Sequence, residues 1–479
     1  MGKETDLEGH AAWATGTVPA IDDQRPLLLD SNLPDDPTRP PLQHLDSAKS
    51  SKTSRIRSNL ILFCIALNSM VVAAAISLMM PFFGGEALRK VPSGNLANHF
   101  AIGVIFSIAT FAEFLAAPIL AKDLVNVGSK LMLVLSTFEV SAMVFLFSFV
   151  NKIESWGIFL AVCISIRLVQ GISTAAYFVS SFSILVGAFP ESKGLVNGVL
   201  RCANGVGYAM GPAIGGVLYD VAGFAVPFYV FSAIVAVACV LVVIVLPSTE
   251  AGLSSVRLKS NISFTQVLSV PWVWMILVST FLANIIMGYV EPVFSVYLRT
   301  SFNLSTTYAG IGFFIFSIFY SGVSLVMGYW IDSWLNPRML QALGLLSCGI
   351  GCQLVGPAPF LPLPKSLVLS YVAFVLFGIG SGLSLVSASP DIANTLHANG
   401  LGTPGELRAI TGGLYQASMS LGYCAGPLLG SPITAAVGFQ YSLSFLGIMY
   451  FLWTVVFAIA AFSSEKLLML QLENLVKGI

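Results

Sequence analysis

The chain of 479 residues has no net formal charge, is 56% hydrophobic and only 10% charged, and has a mean hydropathy of +0.85. Soluble globular proteins carry about 25% charged residues, so this composition excludes a chain that covers itself with a polar surface. The apolar residues fall into runs of about 20, the length of helix that crosses the hydrocarbon core of a bilayer. We therefore predict an all-α polytopic membrane protein.

The first 56 residues are polar and carry no apolar stretch, which predicts a disordered cytoplasmic tail over 1–56 rather than a cleaved signal peptide. Within this tail, Asp23, Leu27 and Leu28 fit an acidic dileucine sorting signal. Clathrin adaptor proteins bind such signals on flexible cytosolic segments. The signal favours an endosomal, lysosomal or secretory-vesicle membrane, although a plasma-membrane address stays open.

Twelve apolar segments follow the tail, with a long polar interruption after the sixth. They cover residues 59–83, 101–121, 131–150, 158–186, 194–218, 225–247, 271–297, 308–330, 340–360, 366–389, 409–433 and 441–463. The interruption carries the turn and charged residues of a linker. We therefore predict a six-helix bundle over 57–247, a cytoplasmic linker over 248–270, a second bundle over 271–463 and a cytoplasmic tail over 464–479.

Lysine and arginine residues set the predicted orientation, because cytoplasmic loops of membrane proteins carry an excess of them. With a cytoplasmic N-terminus, seventeen lie on the cytoplasmic side and five on the opposite side, while Arg167 lies inside a span. Both termini are therefore predicted to be cytoplasmic. The sequon that begins at Asn303 then faces the lumen or the exterior, where glycosylation of its asparagine is possible.

A glycine-proline pattern occurs in the fifth predicted span and again in the eleventh. Its members are Gly198, Gly207, Gly211, Pro212, Gly215 and Gly216 in the first copy, and Gly413, Gly422, Gly426, Pro427, Gly430 and Ser431 in the second. Each member is displaced by 215 residues, which predicts two six-helix repeats in parallel orientation. The glycines recur every four residues, so they form one helix face that another helix can approach closely. Tight packing alone and a water-tight seam between moving helices are both open.

The repeat and two further motifs resemble the major facilitator superfamily. The glycine-proline pattern is similar to the superfamily's antiporter motif, and Arg167 begins an R-x-x-Q-G pattern in the fourth span. After the eighth span, Gly328, Asp332 and Arg338 fit the superfamily's loop motif, and the resemblance implies a cytoplasmic gate there. The counterpart after the second span has Val125 where the acid is expected.

Within the superfamily, the stretches FVSSFSILVGAFP, GPAIGGVLYDVAGFAVPF and MGYVEPVFSVYLRTSFNLS resemble the vesicular amine transporter family, most closely its polyamine branch. The resemblance implies proton-coupled loading of organic cations into acidic vesicles. The monoamine members carry aspartates in the first and eleventh helices. The matching regions here read Asn68-Ser69 and Gln416, which disfavours a monoamine substrate.

Ionisable residues inside the spans are few, and each is costly enough in lipid to indicate a function. Glu113, Glu139 and Glu291 lie in the second, third and seventh spans, and Arg167 lies in the fourth. A carboxyl in apolar surroundings resists ionisation, so it can exchange a proton or bind a cation instead. Glu291 is the strongest candidate because Pro292 follows it and weakens the helix there.

The roles of one basic residue, Arg167, and one acidic residue, Asp391, are less clearly indicated. Arg167 keeps its proton, so it can pair with a carboxylate but cannot itself carry the coupled proton. A fixed structural ion pair is the alternative. Asp391 is predicted at the cytoplasmic end of the tenth span, where a gate role and simple solvation are both open.

Together these features predict a proton-coupled antiporter that moves an organic cation, a polyamine or related amine, across a vesicular membrane by alternating access. Its expected partners are the small cation, protons, the bilayer and adaptor proteins. We expect a monomer without nucleic acid, metal or cofactor, driven by the proton gradient. A broad-specificity drug/proton exporter of the plasma membrane is the alternative, and a non-transporting receptor or scaffold a minor one. Because the sequence has no P-loop, zinc-type spacing or nucleophile–base cluster, an enzyme is not expected.

Overall fold

The structure is a computed structural model that describes residues 42–91, 96–189, 193–246, 264–330, 336–401 and 404–477. Twelve long helices run through these residues: α1 (Leu42–Ser77), α3 (Leu96–Val127), α4 (Ser129–Phe147), α5 (Trp156–Ala188), α6 (Lys193–Ala222), α7 (Ala225–Val245), α9 (Pro271–Val290), α11 (Thr306–Trp330), α12 (Pro337–Val355), α13 (Leu367–Ala398), α14 (Pro404–Val437) and α15 (Phe439–Lys477). Three shorter helices are α2 (Phe83–Lys90), α8 (Phe264–Leu268) and α10 (Phe294–Phe302). Residues Ile56–Ile479 form one compact unit.

Ten of the twelve long helices are long and apolar enough to cross a membrane on their own. The helices outside this set are α6 and α14, which carry the two glycine-proline patterns. Each packs on a helix of the other half, α6 on α11 and α14 on α3, so neighbouring helices cover much of their surface. The predicted all-α membrane fold with twelve helices is confirmed.

The helix contacts repeat between the two halves of the chain. In the first half α5 packs on α3 and α4, and α4 packs on α7. In the second half α13 packs in the same way on α11 and α12, and α12 packs on α15. The halves meet along two equivalent seams, α6 on α11 and α14 on α3, as two parallel repeats require.

A glycine followed by a phenylalanine ends both pattern-bearing helices, as Gly223-Phe224 after α6 and Gly438-Phe439 after α14. Gly223 and Gly438 have φ values of +82° and +85°, and their N–H groups donate to the carbonyls of Tyr219 and Thr434. This left-handed conformation favours glycine because it has no β-carbon. The chain therefore makes the same turn after α6 and after α14.

The first and seventh predicted spans, 59–83 and 271–297, are each interrupted by a break in the helix. Helix α1 ends at Ser77 before α2 begins at Phe83, and α9 ends at Val290 before α10 begins at Phe294. In the second break, Pro292 has no N–H with which to continue the helical bonds. The two breaks touch, because a β-carbon on Gly84 would collide with the carbonyl oxygen of Pro292.

The glycine face of each pattern packs on the first long helix of its own half. β-Carbons on Gly207 and Gly211 would collide with backbone atoms of α1, and one on Gly215 would lie 2.6 Å from the carbonyl oxygen of Leu78. In the second half, β-carbons on Gly422, Gly426 and Gly430 would collide in the same way with α9. These glycines therefore permit backbone-to-backbone approach within each half.

Other members of the pattern face the seams between the halves. The carbonyls of Pro212 and Pro427 lie against Gly310 and Gly103, whose β-carbons would collide with them. A β-carbon on Gly216 would lie 3.1 Å from the carbonyl oxygen of Thr306. A β-carbon on Gly198 or Gly413 would have no neighbour within 4 Å among the described residues, so these two glycines have no packing requirement of this kind.

We predict that Gly211→Ala and Gly426→Ala lower the stability of the purified protein by about 1–3 kcal/mol, the usual cost of overpacking. The matched changes Gly198→Ala and Gly413→Ala meet open space and are expected to leave stability almost unchanged. Thermal unfolding in detergent, followed by intrinsic fluorescence, measures the difference. Equal melting temperatures for all four variants would contradict the packing described above.

Candidate transport site

Glu291 lies at the joint between α9 and α10. It follows the last residue of α9, and only 3% of its surface is exposed. The hydroxyl of Tyr423, on α14, donates to its Oε2 atom at 3.0 Å. The break in the helix thus places a buried carboxyl where the backbone changes direction.

Arg167 reaches toward the same region from the other half of the chain. Its guanidinium donates to Oε1 of Gln170 at 2.8 Å and to the carbonyls of Ile105 and Phe106, each at 3.3 Å. Among the described residues, no carboxylate oxygen lies within salt-bridge distance of it. Its charge nevertheless interacts with that of Glu291 through space. The guanidinium is therefore fixed by neutral acceptors, with Glu291 as a more distant counter-charge.

Glu113, on α3, is the second acid of this region. Tyr208, on α6, lies within electrostatic range of both Glu113 and Glu291. Within the described part of the chain, the Glu113 carboxyl has no hydrogen bond to another residue. Its oxygens can accept a proton or a cationic group without breaking a protein contact.

Four tyrosines extend this polar region. They are Tyr208, Tyr320, Tyr415 and Tyr423. The guanidinium of Arg201 lies 5.6 Å from the ring centre of Tyr415. Tyr415 and Tyr423 are eight residues apart, so both fall on nearly the same face of α14. That spacing was a signal in the sequence, whereas the positions of Tyr208 and Tyr320 depend on tertiary packing.

Asn68 and Ser69 stand where the resemblance places an aspartate in monoamine transporters. Both are buried, and their side chains bond within the first half: Asn68 donates to Thr137 at 3.1 Å and Ser69 donates to Asn204 at 2.8 Å. These neutral groups hold helices together. They supply no negative charge for an ammonium group.

Glu139 lies apart from the other predicted acids. It is exposed on α4, and its Oε2 accepts a hydrogen bond of 2.7 Å from the hydroxyl of Ser173 on α5. The exposed apolar side chains of Leu135 and Phe138 flank it along the helix. No described contact joins Glu139 to the central region, so its predicted part in proton or substrate binding stays a prediction.

The predicted gate residues are partly brought together. Arg338 forms an ion pair with Asp391 at 3.4 Å and lies over the ring of Trp272, with 4.5 Å to the ring centre. Asp391 also accepts a hydrogen bond from Trp272 at 3.2 Å. Simple solvation of Asp391 is excluded because only 3% of its surface is exposed. Helix α13 continues past Asp391 to Ala398, and the predicted gate role of Asp391 stays a prediction.

The remaining predicted positions divide between the surface and the undescribed part of the chain. Gly328 is exposed near the end of α11. Asn303 is exposed after the last residue of α10, with φ of +53°, and its glycosylation stays a prediction. Asp332 and the sorting residues Asp23, Leu27 and Leu28 lie outside the described residues.

Comparison with known proteins shows the family. Residues 58–403 match the model of the Major Facilitator Superfamily. The chain is 30% identical to the rat MFS-type transporter SLC18B1, over 80% of this chain and 81% of the relative. It is 23% identical to the human synaptic vesicular amine transporter, over 59% of this chain and 53% of the relative.

A solved structure supports the fold. The nucleoside transporter NupG aligns with a TM-score of 0.63, covering 84% of this chain and 98% of that chain at 10% identity. The family match, the relatives and the twelve-helix architecture agree, and they confirm the resemblance derived from the sequence motifs. The chain is a multi-pass membrane transporter of the major facilitator superfamily, and within it belongs with SLC18B1 and the vesicular amine transporters.

Proposed function

We propose that this transporter exchanges protons for an organic cation, and that Glu291 is the group for which the two compete. The observation that carries the proposal is the position of this carboxyl. It is buried at the break between α9 and α10, bonded to Tyr423, and opposed by the Arg167 charge of the other half. The Glu291 carboxyl thus lies at a joint in the backbone and also interacts with the other half of the chain.

The free-energy cost of a buried charge couples proton movement to cation movement. An ionised carboxylate away from water is stable only when a counter-charge or hydrogen bonds offset its desolvation. Protonation of Glu291 removes the charge, and binding of an ammonium group neutralises it. A proton and a cation therefore exclude each other at this carboxyl. Arg167 remains charged throughout because guanidinium groups do not lose their proton in proteins.

The transport cycle follows from this competition. On the cytoplasmic side the cation displaces the proton from Glu291, and the halves then rock to expose the site to the other side. In an acidic lumen, protons displace the cation, and the protonated carrier returns. The joint at Glu291 and Pro292 lets α10 move relative to α9 during the exchange.

A linear polyamine fits this arrangement better than a monoamine does. Glu113 and Glu291 come from opposite halves and both lie within electrostatic range of Tyr208, and we infer that they bind two ammonium groups of one substrate. Tyrosine rings near them provide faces that attract cations. The neutral pair Asn68 and Ser69 removes the charge at the monoamine position.

We further propose a vesicular membrane as the site of action. The dileucine residues Leu27 and Leu28 and the likeness to a synaptic vesicular amine transporter support this address. Imaging of a tagged chain tests it: a Leu27→Ala/Leu28→Ala variant is expected to move to the cell surface, whereas Leu33→Ala in the same tail stays in vesicles. A wild-type chain that resides at the cell surface would contradict the proposal.

Proteoliposomes with an acidic interior test the transport reaction directly. Wild-type protein is expected to accumulate labelled spermidine, and Glu291→Gln is expected to reduce accumulation at least tenfold because a neutral amide can neither release a proton nor neutralise an ammonium group. Glu154→Gln, an exposed change in a loop, serves as the control. Uptake by Glu291→Gln at the wild-type rate would refute the assigned role.

A second variant tests the two-acid site. Glu113→Gln is expected to weaken binding of spermidine about tenfold more than binding of butylamine, because only the polyamine has a second ammonium group to lose; tenfold corresponds to about 1.4 kcal/mol. Isothermal titration of the purified variants measures both affinities. Equal losses for the two amines would show that Glu113 does not bind a second ammonium group.

A further inference from the structure

Asp220 joins the two halves of the transporter at their predicted lumenal end. It lies near the end of α6, and its carboxylate accepts four hydrogen bonds from the first two residues of α11. Oδ1 accepts from the hydroxyl of Thr306 at 2.8 Å and from its amide at 3.3 Å. Oδ2 accepts from the amide of Thr307 at 2.8 Å and from its hydroxyl at 2.5 Å.

These contacts make Asp220 a helix cap supplied by another part of the fold. The first amides of a helix have no partner within the helix, and they attract negative charge. The first turn of α11 contains no acidic residue of its own. The start of α11, in the second half, thus obtains its acidic cap from the first half. The hydroxyl of Thr306 also lies 3.4 Å from the carbonyl of Gly216, beside Asp220 on the same helix.

The equivalent seam on the opposite side of the molecule lacks this contact. The residue 215 positions after Asp220 is Ala435, which has no carboxyl group. Ala435 instead lines a cavity of about 220 Å³ between the two halves, together with His99 and Pro292. One seam is therefore closed by a charged cap, and the other contains open space.

We propose that Asp220 and the start of α11 form a latch that holds the two halves together at the lumenal end and must release when the transporter opens to the lumen. The latch rests on the proposed function in one respect: opening to the lumen is a step of the proposed transport cycle. Two features suit it to holding the halves and to releasing them repeatedly. Its bonds are charge-assisted and hence strong, and Asp220 is exposed beside the half-buried threonines, so water can replace the broken bonds.

A reversible cross-link tests whether the latch must open. We would replace Asp220 and Thr307 with cysteine and insert a protease site into the linker 248–270, so that the cross-link holds the cleaved halves together on a non-reducing gel. Oxidation is expected to reduce amine uptake at least tenfold, and reduction to restore it. The controls are the two variants that each carry one of the introduced cysteines, and their uptake is expected to be insensitive to oxidation. Undiminished uptake by a fully cross-linked protein, or failure of the cysteines to cross-link, would overturn the proposal.

A second measurement needs no substrate and separates failure of the latch from failure of the proposed function. Asp220→Asn is expected to speed hydrogen–deuterium exchange in peptides covering 304–310 about tenfold, because the two threonine amides lose a charged acceptor. Glu154→Gln, another exposed carboxyl, is the control and should not alter exchange there. Unchanged exchange in Asp220→Asn would overturn the latch even if the protein transports no amine. Faster exchange with no uptake by any variant would support the latch and count against the proposed cargo.

Discussion

The cost of a buried charge is the constraint on which the proposed mechanism depends. Glu291 is almost completely enclosed, and its surroundings offer one tyrosine hydroxyl and a guanidinium that is already bonded to neutral acceptors. In such an environment an ionised carboxylate without a bound cation is unfavourable. In the proposed mechanism the carboxyl holds either a proton or a cation, and this requirement couples the two without any direct contact between them.

The glycine patterns serve this constraint by fixing the helices around the site. Gly422 and Gly426 bring α14 into backbone contact with α9, and Tyr423 lies between them on α14 with its hydroxyl on Glu291. The first copy of the pattern holds α6 against α1 in the same manner. Backbone contacts thereby pack the helices of each half, and in the proposed mechanism movement occurs at the seams and at the breaks in the first and seventh spans.

Much of the fold could be predicted from the sequence because its signals are local or periodic. Apolar runs give the spans, and a displacement of 215 residues gives the repeat. Pro292 indicated weakness next to Glu291. The break in the first span contains Pro81, a signal of the same kind that the prediction of a span over 59–83 did not use.

The features that could not be predicted depend on helix rotation or on residues distant in sequence. Glu139 and Glu113 look alike in the sequence, and only the orientation of α4 places Glu139 at the surface, away from the central region. Asp391 is buried where it contacts Trp272 and Arg338, which are distant from it in the sequence. Asp220 caps a helix that begins 86 residues later in the chain, and capping motifs in a sequence are recognised only within a few residues.

Proton release on substrate binding tests the central claim most directly. Purified protein in weakly buffered solution would be mixed with spermidine while a pH indicator records protons. If proton and cation compete for Glu291, wild-type protein releases protons as it binds substrate near neutral pH, and Glu291→Gln releases about one proton fewer per bound substrate. Binding to wild-type protein without proton release, or equal release by Glu291→Gln, would contradict the account.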